Sequence, residues 1–225
     1  MCQIEQCFEE TLDSSLRSPF RSQLMVLFVS SVSLMGFLLV AFQKSSLTTI
    51  DNDVNSWSAS VHTGLFTWVA EMIAYGFDTA VLLVASLLVA AYFFYKGYRK
   101  NALLMVGAMG GIAAIVTIVK TLVHSVRPLN GVIQETGFSF PSGHVTSTVV
   151  FFGLLTFFVW QRWKASNART LSSVFYVVME FLVGFSRVYL NVHWLSDVLG
   201  GYLLGAFWLA FVIFLFRYSC RTAEL

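Results

Sequence analysis

The sequence predicts an all-α integral membrane bundle of six transmembrane helices, with interfacial helices between the first two spans. Three observations predict it. Of 225 residues, 57% are hydrophobic and 12% charged, a balance outside that of soluble globular domains. The apolar excess is dealt out in long uncharged runs rather than gathered for one core, and a helix needs about 20 apolar residues to cross the hydrocarbon. Lys and Arg then collect at alternate ends of those runs, which is the positive-inside pattern. Residues 1–225 read as a single domain.

The first run, Ser22 to Gln43, follows a leader of acidic and basic residues and is trailed by no small-x-small pattern. It predicts an anchor rather than a cleaved signal. Thr79 to Tyr95, Asn101 to Val119, Val145 to Gln161 and Val198 to Phe216 are likewise free of charge, and Thr170 to Ser186 is interrupted only by Glu180. The second, fourth and fifth runs are on the short side.

With the N-terminus inside, Arg17, Arg21, Lys96, Arg99, Lys100, Arg162, Lys164, Arg169, Arg217 and Arg221 lie at cytoplasmic ends, ten of the 14 basic residues. Lys44, Lys120, Arg127 and Arg187 lie on the other side, and the last three call for a reason. Residues 1–21 form the cytoplasmic tail on this reading. Cys2, Cys7 and Cys220 fall in cytoplasmic tails as ordinary reduced thiols, which supports neither disulfides nor a metal site.

Residues 45–78 are the one long outer connection, mixing Asp51 and Asp53 with Trp57, Phe66 and Trp68. Such a stretch suits the headgroup layer, with packing or anchoring as its simplest role and a lid over a site as the other. Two small-x-x-x-small pairs, Gly107 with Gly111 and Gly201 with Gly205, predict close packing inside the bundle rather than dimerisation.

Three clusters between residues 120 and 197 fall at the outer ends of the third to sixth spans. The first is Lys120 with Arg127 and Pro128. The second is Pro141, Ser142, Gly143 and His144, and the third runs from Ser186 and Arg187 through His193 to Asp197. Charge near the hydrocarbon is unfavourable, and a bound anion offsets it. Guanidinium groups match phosphate oxygens two at a time while Lys supplies a point charge, so the anion that fits is a phosphoryl group.

Ser142, Gly143 and His144 stand where a helix begins, and free N–H groups there favour an anion. The Ser142 hydroxyl can touch phosphate or cap the helix, and capping alone would account for it. His193 and Asp197 are four apart, which lets the carboxylate face the imidazole if the helix starts at Trp194. That pairing fixes the tautomer and leaves the other nitrogen free to attack phosphorus, with His144 as the acid for the leaving group and the base for water. His124 and His62 are read as loop residues.

In this order and spacing the three clusters resemble the signature of the type 2 phosphatidic acid phosphatase superfamily. That family includes lipid phosphate phosphatases, undecaprenyl pyrophosphate phosphatases and vanadium-dependent haloperoxidases. The resemblance implies that Lys120, Arg127, Arg187, Ser142 and Gly143 bind phosphate, that His193 is the nucleophile with Asp197 its partner, and that His144 is the general acid. It implies phosphatase work without a metal or cofactor, on a lipid phosphate held at the bilayer. Glu180 stands outside the pattern, seven residues before Arg187 on the same helix face, as a structural carboxyl.

Undecaprenyl pyrophosphate is the first substrate expected, with phosphatidylglycerol phosphate and phosphatidic acid open. Transfer of the phosphoryl group to a lipid acceptor is a second enzymatic reading. The soluble haloperoxidases fit the apolar spans poorly. An anion transporter would explain the cations but not the pairing of His193 with Asp197. The location expected is a bacterial inner membrane, with both termini cytoplasmic and the site on the extracytoplasmic side.

Overall fold

The computed structural model describes residues 20–222, all of whose regular structure is helical. The expectations for Cys2, Cys7 and most of the N-terminal tail lie outside the described residues, as does the side chain of Cys220. The helices are α1 (Phe20–Phe42), α2 (Thr48–Ser60), α3 (Gly64–Gly76), α4 (Thr79–Tyr95), α5 (Arg99–Val123), α6 (Gly143–Arg162), α7 (Ser166–Tyr189) and α8 (Leu195–Thr222), with a short 3-10 turn at Lys44–Leu47.

Five of these are long and apolar enough to cross a membrane, and a sixth span exists when α3 and α4 count as one span bent by 49°. The six-span expectation therefore holds with one refinement. At 17 residues, α4 alone is a short crossing, and α3 extends it from the segment assigned to the interface. Asp78 makes the break by accepting a hydrogen bond from the Ala80 N–H (2.8 Å), which caps α4.

α6 lies at the centre, with 78% of its apolar window buried against 17% for α1. Phe151, Phe152, Phe157 and Phe158 of α6 pack into the main core with Met105, Met109 and Ile112 of α5. On α1, Met25, Phe28 and Met35 are exposed. Large apolar side chains pointing outward along a span are what lipid contact requires.

In lipid, helices associate through close packing rather than burial from water, so small residues matter at crossings. A Cβ on Gly201 would lie 3.0 Å from Val145, and one on Gly205 would lie 2.7 Å from Val149. The pair on α8 thus lets that helix rest on α6. The other predicted pair is only half used: Gly111 faces the Trp208 indole, whereas nothing lies within 4 Å of a Cβ on Gly107.

The interfacial segment docks on the start of the last helix. Asp51 of α2 accepts from the Ser196 N–H (2.9 Å) and hydroxyl (2.6 Å), capping α8 from another part of the chain. Ser58 donates to the carbonyls of Val188 and Tyr189, and His62 Nε2 lies 2.5 Å from the Tyr189 carbonyl. His62 therefore ties α2 to the end of α7.

Candidate active site

The loop of residues 124–142 brings the first two clusters to the third. His124 ends α5 in the left-handed conformation at φ 52° and packs edge-on against Phe138, so it is a helix terminator rather than a bystander. Ser139 bonds back to Ser125, and the Trp194 indole donates to the Val126 carbonyl at 2.7 Å. The Ser142 N–H donates to the Asp197 carbonyl at 3.0 Å, which joins the start of α6 to the start of α8.

His193 and Asp197 are buried, 2% and 0% exposed. The helix begins at Leu195, one residue later than the spacing suggests. Asp197 in its first turn reaches back to the Trp194 N–H at 2.9 Å, as in a capping box. The same oxygen lies 3.3 Å from His193 Nδ1.

Arg127 Nη1 lies 3.2 Å from His193 Nε2. A guanidinium can only donate, so Nε2 bears the lone pair and Nδ1 carries the hydrogen directed at Asp197. Burial lowers the His193 pKa to about 3, against the opposing pull of Asp197, so the imidazole is neutral near pH 7.

Arg187 is fully buried at 0% exposure. Its Nη2 is paired with Glu135, while Nε and Nη1 have no hydrogen-bond partner. Arg127 is more heavily engaged, donating to the carbonyls of Thr136, Gly137 and Val192 and lying 3.4 Å from the other Glu135 oxygen. Glu135 thus bridges the two arginines. Burial pushes its carboxyl up, but Arg187, His144 and Arg127 together hold it below the usual carboxylate range.

Ser142 occupies the N-cap position of α6 without making a side-chain cap bond, and its buried hydroxyl has no partner. The capping explanation for that hydroxyl is therefore not the one the structure uses. A Cβ on Gly143 would touch Thr79 Oγ1 at 3.4 Å, so α4 closes over the helix start. His144 Nε2 lies 3.2 Å from Asp78 Oδ2, and because a carboxylate only accepts, that nitrogen carries a hydrogen.

Lys120, in the last turn of α5, is within electrostatic reach of Arg127, Arg187, Glu135 and Asp197, and its carbonyl accepts the His124 N–H that ends the helix. All eight residues singled out from the sequence therefore meet around one place. Among the described residues, no three His, Cys, Asp or Glu side chains are grouped to hold a metal ion. Glu180 is buried on α7 with neither carboxyl oxygen partnered.

Sequence reasoning missed four polar groups of the site region: Lys44, Asp51, Asp78 and Glu135. A residue just before an apolar run signals a cap at Asp78, and Lys44 goes against the charge bias. Nothing local marks Asp51 or Glu135.

Residues 101–221 match the PAP2 superfamily. The chain belongs to that superfamily. Among relatives of this PAP2 protein is phosphatidylglycerophosphatase B of Bacillus subtilis, 29% identical over 181 residues that cover 77% of this chain and 88% of that protein. The undecaprenyl-diphosphatase of Sulfolobus acidocaldarius is 31% identical over 52% of this chain and 56% of its own length. The putative undecaprenyl-diphosphatase YbjG of Escherichia coli is 44% identical over 30% of this chain and 29% of its own.

The crystal structure of a transmembrane PAP2-type phosphatidylglycerolphosphate phosphatase from Bacillus subtilis superposes with a TM-score of 0.77. The two are 26% identical, and the match covers 83% of this chain and 94% of that one. This PAP2 protein is an integral membrane lipid phosphatase, a hydrolase of phosphate esters or anhydrides, as the motif resemblance implies.

Proposed function

We propose that this phosphatase removes the terminal phosphate of a lipid phosphate through a phosphohistidine on His193. The reading rests above all on the buried donors around His193 that no protein group satisfies, Arg187 Nε and Nη1 and the Ser142 hydroxyl. Buried donors in that condition are unfavourable by about 1–3 kcal/mol each, and a phosphoryl group relieves them.

Glu135, with one oxygen toward each arginine, marks where two phosphate oxygens sit, and the substrate takes its place. Lys120 adds positive charge and the α6 N-terminus adds N–H groups. Once phosphate draws Arg127 away, the His193 Nε2 lone pair forms the N–P bond as the bond from phosphorus to the leaving oxygen breaks. Asp197 stabilises the imidazolium that develops. His144 gives its proton to the leaving oxygen, which replaces Asp78 as acceptor. It then takes a proton from water as that water attacks phosphorus, releasing orthophosphate and neutral His193. No step calls for a metal.

Undecaprenyl pyrophosphate is the substrate we place first, in keeping with two relatives named as undecaprenyl-diphosphatases. Phosphatidylglycerol phosphate is a second reading, favoured by the relative matched over 88% of its length. We assign the protein to a bacterial inner membrane with both termini cytoplasmic and the site on the opposite side, following the basic-residue bias.

The test is phosphate release by purified protein in detergent and EDTA, across a panel of lipid phosphates and pyrophosphates. His193→Ala and His144→Ala should each lower release at least about a hundredfold. Equal release from wild type and both variants defeats the mechanism, and the ranking of kcat/KM across the panel decides between the two substrates.

A further inference from the structure

Asp197 is fully buried, and the groups that hold it come from two directions. One oxygen takes the Trp194 N–H and faces His193 Nδ1. The other accepts from Lys44 Nζ at 2.6 Å, an ammonium contributed by the short turn that follows α1, 153 residues earlier in the chain. Lys44 also donates to Ser196 Oγ at 2.7 Å, lies 3.9 Å from Asp51, and sits 5.2 Å from the centre of the Phe140 ring. Its head group is thus fixed by contacts with α2, α8 and the loop before α6.

A carboxylate that accepted only two neutral or weakly placed donors in this buried position would be poorly stabilised. Lys44 supplies the missing charge. It lies on the Asp197 oxygen that His193 does not use, so it stands behind the catalytic pair rather than beside the reacting nitrogen. Arg127, Arg187 and Lys120 surround the phosphate position, and Lys44 is held by other partners.

We propose that Lys44 is a positioning residue: it anchors Asp197, Asp197 holds the His193 tautomer, and the chemistry of the site therefore depends on docking of the interfacial segment. This deepens the histidine-nucleophile reading and rests on it. Asp51 fixes both ends of the arrangement, since it caps α8 through Ser196 while lying against Lys44.

A cavity of about 210 Å³ is lined by Lys44 with Ser45, Thr48, Asp51 and Asn52. It offers room for a small alkylammonium ion when the side chain is shortened, which makes chemical rescue possible.

Three variants and two measurements test the proposal. Lys44→Met keeps the stem without the charge and should lower kcat roughly tenfold to a hundredfold, the range seen when an outer partner of a functional histidine is removed, with KM within about twofold. Lys44→Arg should retain most of kcat. Lys44→Ala should lose at least as much kcat as Lys44→Met and recover with propylammonium but not with tetramethylammonium, which cannot donate a hydrogen bond. Recovery also shows that the variant is folded.

Independently of turnover, nitrogen NMR of 15N-histidine-labelled protein in detergent reads the tautomer. The chain has four histidines, and His193→Gln assigns the signal. In protein saturated with orthophosphate, which takes Arg127 off Nε2, wild type should show His193 with Nδ1 protonated, and Lys44→Met should lose that single form. An unchanged tautomer in Lys44→Met overturns the proposal even if the histidine mechanism stands. So does a rise in KM at unchanged kcat, which would make Lys44 a phosphate ligand. If wild type releases no phosphate from any lipid, the mechanism fails while the NMR result still decides the role of Lys44.

Discussion

Replacing Arg187 with Lys separates charge from geometry at the phosphate position. The guanidinium is fully buried and offers Nε and Nη1 unpaired, with Nη2 committed to Glu135. A hydrogen bond from a charged donor contributes about 1.5–3 kcal/mol, so two such bonds to phosphate supply about 3–6 kcal/mol. Lysine preserves the charge but presents a point rather than a fork and gives up one of the two bonds. The expected loss in kcat/KM is therefore about 1.5–3 kcal/mol, roughly tenfold to a hundredfold. Initial rates of phosphate release over a range of lipid phosphate at fixed detergent measure it, and a thermal melt checks that the variant is folded. If a folded Arg187→Lys stays within a factor of about two of wild type, the fork does not grip the transferred phosphate and the reasoning is refuted.

Glu135→Gln removes the carboxylate that competes with phosphate for both arginines, so product inhibition by orthophosphate should tighten by about tenfold, one charge-assisted contact being of that size. An unchanged inhibition constant would mean that the carboxylate and phosphate do not share the position. Ser142→Ala should raise the melting temperature, because the hydroxyl caps nothing and is buried without a partner, while kcat/KM falls by roughly tenfold to a hundredfold for the loss of one hydrogen bond to a charged phosphate. The pH dependence of stability should carry the mark of His193. Its pKa is about 3 in the fold and about 6.5 in an unfolded chain, so between those values the unfolded state binds the additional proton. The contribution is complete above pH 6.5 and is lost as pH falls through 3, and the melting temperature should fall less steeply over that window in His193→Gln than in wild type.

The spans were legible because lipid imposes one simple demand, an uninterrupted apolar helix, and α5, α6 and α8 stand where uncharged runs in the sequence put them. The site was legible for a related reason: Lys120, Arg127 and Arg187 violate the charge bias, and a violation at that energy needs an anion. What stayed hidden depends on contacts between distant segments. Glu135 looks like any loop carboxylate until Arg127 and Arg187 are seen on either side of it. Asp78 announces a helix cap, yet nothing near it in sequence announces His144. The engagement of Arg127 by three loop carbonyls was equally invisible, since backbone acceptors carry no residue-type signal. The bend at Asp78 joins α3 to α4, which reading uncharged stretches alone could not reveal.

The cap on α8 also constrains the order in which this protein is completed. Asp51 emerges from the ribosome 145 residues before Ser196, the residue whose N–H and hydroxyl it receives, and at 5–20 residues per second that interval lasts roughly 7–30 s. Throughout that wait Lys44, seven positions earlier and 3.9 Å away once assembled, is the nearby cation available to Asp51. Lys44 and Asp51 thus belong to one stretch of chain made early, and α8 completes their arrangement when it arrives by bringing Asp197 to the ammonium and Ser196 to the carboxylate.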